Sequence, residues 1–306
     1  MRDKKQTEPL LQLQKQLQQG LPLPKDVKAL NGFGHQREHR FEARDKRDER
    51  EILKALIERG THQHQRQALE IARCTRHRPC GHWACYLCRN LQWQEDRDEL
   101  EPHALSVNYD VLDISYATIV VGATHGGKRA VKRLLMEAVR RIRNVLEPWP
   151  SVAVSGRFEV DCHWPGHLTG TYKRRTLKSC GYRSSARSPA LVPHLHAIIV
   201  HPGIKREAVR LFLRKKFPGY RRVQARPLDV TQSLETNLDN LVRYSLKFEF
   251  PDNAIPTGQS QASSEADQRK IMYFYKLIEY LGGFNGVLDF KVEPQTHNID
   301  IIDDNI

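Results

Sequence analysis

The order of strand and helix patterns constrains the fold of this 306-residue chain more than any other feature of its sequence. Four segments have the alternating or continuously apolar character of β-strands; they are residues 111–124, 151–161, 191–200 and 220–230. Three segments place apolar residues at helical spacing; they are residues 127–146, 204–217 and 234–248. This order of strand, helix, strand, strand, helix, strand and helix predicts an α+β domain. Its central antiparallel sheet should have four to five strands and be related to the split βαβ pattern.

Composition divides the rest of the chain into further regions. The Gln- and Leu-rich stretch 1–32 indicates a loosely held arm, and the charged segment after it predicts two helices that meet near Gly60. A Ser/Gln-rich linker, a last helix and a short acidic tail follow the α+β domain. The expected regions are a charged helical one at 1–73, a cysteine-rich zinc-binding segment at 74–110, the α+β domain at 111–250, and the linker, helix and tail at 251–306.

The charge balance favours a polyanionic partner. The chain has 49 Lys and Arg against 36 Asp and Glu, which gives a formal net charge of +13. Nucleic acid is the commonest polyanion that such an excess serves, and a merely soluble basic protein is the alternative. No apolar run approaches the ~20 residues that span a bilayer, and the N-terminal stretch lacks the apolar segment of a secretory signal. We therefore expect a cytoplasmic protein without a membrane partner.

Four of the six cysteines lie close together in the segment CTRHRPCGHWACYLC. A disulfide-stapled secreted protein would spread its cysteines along the chain, so this clustering favours a structural zinc ion. His77 or His82 could replace one thiolate, and free buried cysteines or a redox pair remain the alternative. The expected ligands are Cys74, Cys80, Cys85 and Cys88.

A second candidate metal site lies on the strand LVPHLHAIIV. His194 and His196 are two residues apart and should project from one face of the sheet. Glu159, in the strand segment GRFEVD, lies on the opposite face from its neighbours Phe158 and Val160. A carboxylate beside two imidazoles suits Mg²⁺ or Mn²⁺ with open positions for phosphate oxygens. Polar strand residues without a metal are the alternative.

Two further segments carry candidate functional side chains. In the helix segment RYSLK, Tyr244 and Lys247 lie on one side, where the ammonium would favour a phenolate nucleophile. An ordinary half-buried tyrosine is the alternative. Residues 163–190 form a long insertion without acidic residues, in which cations and aromatic residues suit single-stranded DNA, although a disordered basic loop is equally compatible. The candidate DNA-binding residues are Lys173, Arg174, Arg175, Lys178 and Arg183.

Together, these motifs resemble the rolling-circle replication initiators of the HUH endonuclease superfamily, most closely the plasmid-type Rep proteins. ISYATIV is similar to the family's first strand motif, GRFEV to its glutamate strand, PHLHAIIV to its His-hydrophobe-His motif and RYSLK to its Tyr-x-x-Lys motif. The motifs occur in the family's order and span residues 111–248. The resemblance implies an HUH/RRM-like sheet, and a cysteine-rich segment ahead of the first motif also occurs in plasmid-type members.

The resemblance also implies an activity, namely metal-dependent, site-specific nicking and joining of single-stranded DNA at a plasmid or phage replication origin. Glu159, His194 and His196 would hold the divalent ion. Tyr244 would attack the scissile phosphate to form a 5′-phosphotyrosine link, and Lys247 would bind the phosphate or orient the tyrosine. Host helicase and replisome proteins would be further partners.

Three points qualify this resemblance. Plasmid-type relatives often carry a glutamate four residues before the tyrosine, and Asn240 stands there instead, so termination by hydrolysis is open. Tyr273 and Tyr275 are rival tyrosines, but their spacing to Lys276 does not match the motif. A non-enzymatic zinc-containing DNA-binding regulator and an HUH transposase are the competing functions. A conjugative relaxase is disfavoured, because relaxases usually have three metal-binding histidines and an N-terminal tyrosine.

Overall fold

A computed structural model describes residues 4–19, 21, 23, 36–105, 113–146, 148–164, 171–183, 188–245, 265–283 and 289–292. Its helices are α1 (Lys4–Gln18), α2 (Gln36–Arg59), α3 (His62–Ala72), α4 (Tyr86–Leu105), α5 (Gly127–Leu146), α6 (Thr171–Lys178), α7 (Arg206–Lys216), α8 (Leu234–Ser245) and α9 (Glu265–Tyr280). Its strands are β1 (Ile114–Val120), β2 (Ala153–His163), β3 (Ala190–Val200), β4 (Val223–Pro227) and β5 (Asp289–Val292). None of these helices combines the length and apolar character needed to cross a membrane.

The five strands form one antiparallel sheet in the order β4-β1-β3-β2-β5. Strand β3 lies between β1 and β2, the two strands that α5 connects, which is the split βαβ arrangement. The predicted α+β class with an antiparallel sheet is therefore confirmed. Strand β5 adds an edge strand that the sequence patterns did not indicate, because only four residues carry it.

The two faces of the sheet carry different layers. One face, which we call the helix face, packs Ala117, Leu195 and Ile199 against the apolar stripes of α5 and α7. The other, which we call the site face, contacts α8 through a cluster that includes Ile198 and Val242. Because successive strand residues alternate between faces, Glu159 and the two strand histidines project from the site face.

The N-terminal helices form part of the same apolar core. The break expected near Gly60 separates α2 from α3, and a Cβ at Gly60 would lie only 2.2 Å from the Leu56 carbonyl oxygen. The arm expected at 1–32 instead contains α1, whose Leu13 and Leu17 are buried as α1 packs against α2 and α3. Helix α9 in turn packs against α2, so helices that precede and follow β1–β4 in the sequence lie side by side.

Two more helices were not anticipated by the sequence patterns. Helix α4 begins inside the cysteine-rich segment and continues for 20 residues. Helix α6 occupies the middle of the insertion, where a loop was expected. Its Leu177 is buried with Tyr182 against Val192 of β3, and this contact supplies the apolar anchor that a short basic helix needs in water.

Candidate metal centres

The structure brings Glu159, His194 and His196 together on the site face. The register of β2 and β3 pairs Glu159 directly with His194 and places Arg157 opposite His196. The Nε2 atoms of His194 and His196 lie 3.1 Å and 3.3 Å from the same carboxylate oxygen of Glu159. The three ligand atoms all lie within 4.8 Å of one another, so one ion could contact all three. We call these residues the triad.

A glycine allows this close approach of the two strands. Gly156 of β2 lies opposite Ala197, and a Cβ there would lie 2.4 Å from the His196 carbonyl oxygen and 2.7 Å from the Ala197 Cα. Any larger residue would push β2 away from β3 beside the triad. The glycine of the GRFEV segment therefore has a steric role in bringing the carboxylate and the imidazoles together.

The electrostatics of the triad favour a cation. Burial alone raises the pKa of Glu159, but hydrogen bonds with His194 and His196 outweigh it, so the pKa lies below its ordinary value. For His194, burial lowers the pKa, whereas the charge of Asp161 and the contact with Glu159 raise it to about 9. Burial is also the main influence on His196, whose pKa is lowered. An anionic Glu159 beside Asp161 gives the site a negative field that attracts a proton or a metal ion.

Two residues of β1 orient His196. The Nδ1 atom of His196 lies 2.5 Å from the Tyr116 hydroxyl and 3.3 Å from the Thr118 hydroxyl, and the Tyr116 ring stacks on the imidazole at an interplanar angle of 11°. When a metal ion displaces the proton that Nε2 shares with Glu159, Nδ1–H would donate to the Tyr116 oxygen and the Nε2 lone pair would bind the ion. The alternation of ISYATIV shows that Tyr116 and Thr118 project from one face of β1. Only the register of β1 against β3 shows that they lie beside His196.

The donor set fits a divalent metal ion. One carboxylate oxygen and two imidazole nitrogens would leave several coordination positions of a metal ion open. The Tyr116 hydroxyl holds Nδ1 of His196, the nitrogen that would not bind the metal. Manganese accepts both donor types, and magnesium would retain several waters in such a site. The structure thus contains a Glu/His/His group able to bind a metal that still has room for a substrate oxygen.

A buried ion pair joins the triad strand to α4. The Arg157 guanidinium donates to both carboxylate oxygens of Asp96 at 2.9–3.2 Å, and Gln92 donates to the same carboxylate at 3.1 Å. Both charged side chains are less than one tenth exposed. Arg157 lies directly opposite His196, so the pair fixes α4 against the part of the sheet that carries the triad. The sequence patterns did not indicate this contact, which joins residues 61 positions apart.

The expected nucleophile lies on a helix that packs on the site face. Helix α8 includes Tyr244, and the burial of Leu238 and Val242 against Ile198 fixes the side of the sheet on which the helix lies. The side chain of Tyr244 and all of Lys247 lie outside the described residues. Asn240 is exposed and donates to the Gln232 side chain at 3.1 Å.

The rival tyrosines occupy different surroundings. Tyr275 is fully buried, and its hydroxyl contacts Gln67 and His82 at 3.0 Å and 2.9 Å. Tyr273 is partly exposed and packs against Trp164, at the end of β2. The contacts of both residues therefore tie α9 to its neighbours and place neither hydroxyl in the triad.

Helix α6 lies on the opposite side of the triad from α8. Its cluster with Val192 is on the site face, because Val192 pairs with Asp161, two residues beyond Glu159. The triad therefore lies between these two helices on the site face, and its side chains are 5–14% exposed. Arg174, Arg175, Lys178 and Arg183 are exposed along this side, and the side chain of Lys173 lies outside the described residues. The Arg175 guanidinium stacks over the Tyr220 ring at 4.3 Å.

The second group able to bind a metal consists of Cys74, Cys80, Cys85 and Cys88, which we call the cysteine cluster. None of its members forms a disulfide, and the Sγ atoms of Cys74 and Cys80 each lie 3.6 Å from that of Cys88. A tetrahedral zinc ion with Zn–S distances of ~2.3 Å requires S–S separations of about 3.8 Å. Hydrogen bonds from the other three thiols lower the pKa of Cys88, so one thiolate is favoured even without an ion.

The two histidines that could have replaced a cysteine have other surroundings. His77 is exposed in the loop between Cys74 and Cys80. His82 accepts a hydrogen bond from the Ala84 backbone at 3.1 Å and contacts the Tyr275 hydroxyl, and burial lowers its pKa to about 4. Neither joins the group of converging ligand atoms, so among the described residues the group able to bind a metal here consists of the four thiols.

Comparison of the chain with protein-family models, with curated proteins and with solved structures finds no match. The functional argument therefore depends on the site itself.

Proposed function

We propose that this chain is a metal-dependent endonuclease and strand transferase that nicks and joins single-stranded DNA, in the manner of a rolling-circle replication initiator. One observation carries the proposal. The Glu159 carboxylate and the His194 and His196 imidazoles converge on the site face of the sheet, and the helix that includes Tyr244 packs on the same face.

The chemistry assigned to the chain is a phosphoryl transfer to a tyrosine. A magnesium or manganese ion held by the triad would polarise the scissile phosphate and neutralise its charge. The Tyr244 hydroxyl attacks phosphorus in line with the leaving 3′-oxygen, loses its proton to solvent and becomes a 5′-phosphotyrosine. Lys247 favours the ionised phenol and contacts the phosphate. The released 3′-hydroxyl can later attack the same phosphorus, which reverses the step and joins two strands.

The surroundings of the triad support a single-stranded substrate. The exposed cations of α6 lie on one side of it, and Gln224 and Arg226 of β4 are exposed on the site face beside Thr118 and Tyr116. Cations along a groove neutralise phosphates, and aromatic side chains among them offer surfaces for stacked bases. A free 3′-hydroxyl is also the primer that a polymerase extends, so a host helicase and replisome are the proposed downstream partners.

The cysteine cluster is proposed as a structural zinc site. Four thiolates fill a tetrahedral shell, which leaves no position for a substrate or a reactive water. Cys85 immediately precedes α4 and Cys88 lies in its first turn, so a bound ion would fix the start of that helix.

A covalent-adduct assay tests the nicking activity. The protein is incubated with a library of single-stranded oligonucleotides and Mn²⁺, and we expect a protein–DNA adduct that survives denaturing electrophoresis. Tyr244→Phe should abolish the adduct, whereas the matched variant Tyr273→Phe should keep it. A wild-type protein that forms no adduct would favour a non-enzymatic DNA-binding regulator. An adduct that persists in Tyr244→Phe would refute the assignment of the nucleophile.

A further inference from the structure

A strong charge asymmetry lies away from the triad, on two described helices. Helices α5 and α7 carry twelve basic and two acidic residues, an excess of ten charges beside the chain's net charge of +13. Both acidic residues are engaged locally, Glu137 with Arg140 and Arg141, and Glu207 with Arg210. The basic residues are Lys128, Arg129, Lys132, Arg133, Arg140, Arg141, Arg143, Arg206, Arg210, Arg214, Lys215 and Lys216. We call their shared surface the basic face.

The geometry of the two helices makes the basic face rigid and continuous. Val131, Leu135 and Ile142 of α5, together with Val209 and Leu213 of α7, are buried against the helix face of the sheet. The charged sides of both helices consequently point away from the sheet. The helices contact each other, and the Arg141 guanidinium donates to the Lys216 carbonyl oxygen at 3.4 Å.

We propose that the basic face binds double-stranded nucleic acid through its phosphates. Helix α5 has 20 residues and is therefore about 30 Å long, a length over which a duplex carries about 18 phosphate charges. This surface lies on the opposite side of the sheet from the triad, so a duplex bound there would not cover the triad. The proposal concerns binding alone and does not depend on the proposed nicking activity.

The side chains of the basic face favour a duplex over a single strand. Single-stranded sites combine cations with exposed aromatic rings on which bases stack. On the helices of the basic face the exposed apolar residues are Met136, Leu211 and Phe212, and the Phe212 ring already contacts Trp149 at 4.6 Å. The Tyr280 ring of α9, beside the basic face, is already covered by the ammonium groups of Lys128 and Lys132 at 4.6 Å and 5.7 Å. Cationic side chains that are fixed on helices, with no free aromatic ring for an unpaired base to stack on, favour sequence-independent contact with the phosphates of a duplex.

Binding titrations with a blunt duplex test the proposal. In the full-length variant Arg129→Gln/Arg133→Gln/Arg214→Gln/Lys215→Gln, the slope of log affinity against log salt should fall by about 3 to 4, and affinity at 0.1 M salt should fall between about ten- and a thousandfold. A control removes the same charge from exposed positions on the N-terminal helices and their ends. It is Lys15→Gln/Arg47→Gln/Arg66→Gln/Arg73→Gln, and it should keep the wild-type slope. Equal slopes in the two variants would overturn the assignment.

A measurement on the wild-type protein keeps the test independent of folding in the variants. Bound duplex should protect Lys128, Lys215 and Lys216 from acetylation, as read by mass spectrometry, whereas Lys15 should react as in the free protein. Unchanged reactivity of the three lysines would refute the proposal.

Leu211→Gln separates a duplex from an acidic protein segment, because it should leave duplex affinity unchanged. If poly-glutamate protects the three lysines more strongly than the duplex does, and Leu211→Gln abolishes that protection, the basic face binds an acidic protein segment instead.

Discussion

The buried pair between Asp96 and Arg157 yields the sharpest stability prediction. Asp96→Ala leaves the Arg157 guanidinium buried, at 5% exposure, without the carboxylate that accepts its hydrogen bonds. Removing one partner of a buried ion pair typically costs about 3–5 kcal/mol, because the remaining charge stays desolvated. Domains are stable by about 5–15 kcal/mol, so this single change should remove a large share of the free energy of unfolding.

Urea denaturation measures this loss. With an m-value near 2–3 kcal/mol/M, the midpoint for Asp96→Ala should fall by about 1–2 M. Asp98→Ala is the matched control, because Asp98 lies on the same helix and pairs with Arg97 at the surface, with 65% of its side chain exposed. An exposed pair contributes between about 0 and 1 kcal/mol, so the control should shift the midpoint only slightly.

The double variant Asp96→Leu/Arg157→Met completes the cycle. Apolar residues of similar volume replace both charges and remove the desolvation cost, so this variant should be more stable than Asp96→Ala. If Asp96→Ala and Asp98→Ala lower the midpoint equally, the ion pair does not hold α4 against β2. A double variant less stable than Asp96→Ala would contradict the explanation by a desolvated charge.

Three further predictions follow from the sites. Tyr116→Phe removes the hydroxyl that holds His196 Nδ1, so the affinity for Mn²⁺ in calorimetric titration should fall about 10- to 100-fold, with a smaller loss in Thr118→Val. Equal Mn²⁺ affinity in the wild type and Tyr116→Phe would contradict the argument that the hydroxyl fixes the His196 tautomer. One zinc ion per chain should be released by a strong chelator with a fall in Tm, and Cys88→Ser but not Cys180→Ser should lower the zinc content measured colorimetrically. Burial lowers the pKa of His201, so the unfolded chain binds more protons than the folded chain below pH ~6.5, and the free energy of unfolding should fall on acidification. In urea denaturation, His201→Asn should therefore lose less stability than the wild type between pH 7 and 5. Equal losses would contradict a lowered pKa for His201.

The sequence allows the triad to be predicted because strand periodicity fixes faces without tertiary information. The alternation within each strand puts His194 and His196 on one face and Glu159 on the opposite face from Phe158 and Val160, and the apolar stripe of α5 is equally regular, so these features follow from local pattern. The pairing of the two strands does not. The partners of the triad could not be predicted in the same way. Tyr116 contacts His196 across 80 residues and Asp96 contacts Arg157 across 61, and no local pattern encodes which strand or helix lies alongside.

Helices α1 and α6 show why local polarity misleads. The Gln-rich α1 includes Pro9, and its mostly polar composition indicates an arm, yet Leu13 and Leu17 pack against α2 and α3. In α6, a single buried leucine among four cations is sufficient because Tyr182 and Val192 complete its surroundings. Tertiary contacts thus stabilise short helices whose own propensity is weak.

Helix α4 links the cysteine cluster to both components of the proposed active site. It begins at the cysteine cluster, and farther along the helix Asp96 binds Arg157, which lies opposite His196. Trp93 packs against the apolar residues through which α8 contacts the sheet. Arg97 also approaches Asp239 of α8 at 3.7 Å. Because one rigid helix contacts both the triad strand and the tyrosine helix, an ion in the cysteine cluster would stabilise the distance between metal ligands and nucleophile. The cysteine-rich segment would therefore act on the proposed active site through the position of α4, although none of its thiols lies in the triad.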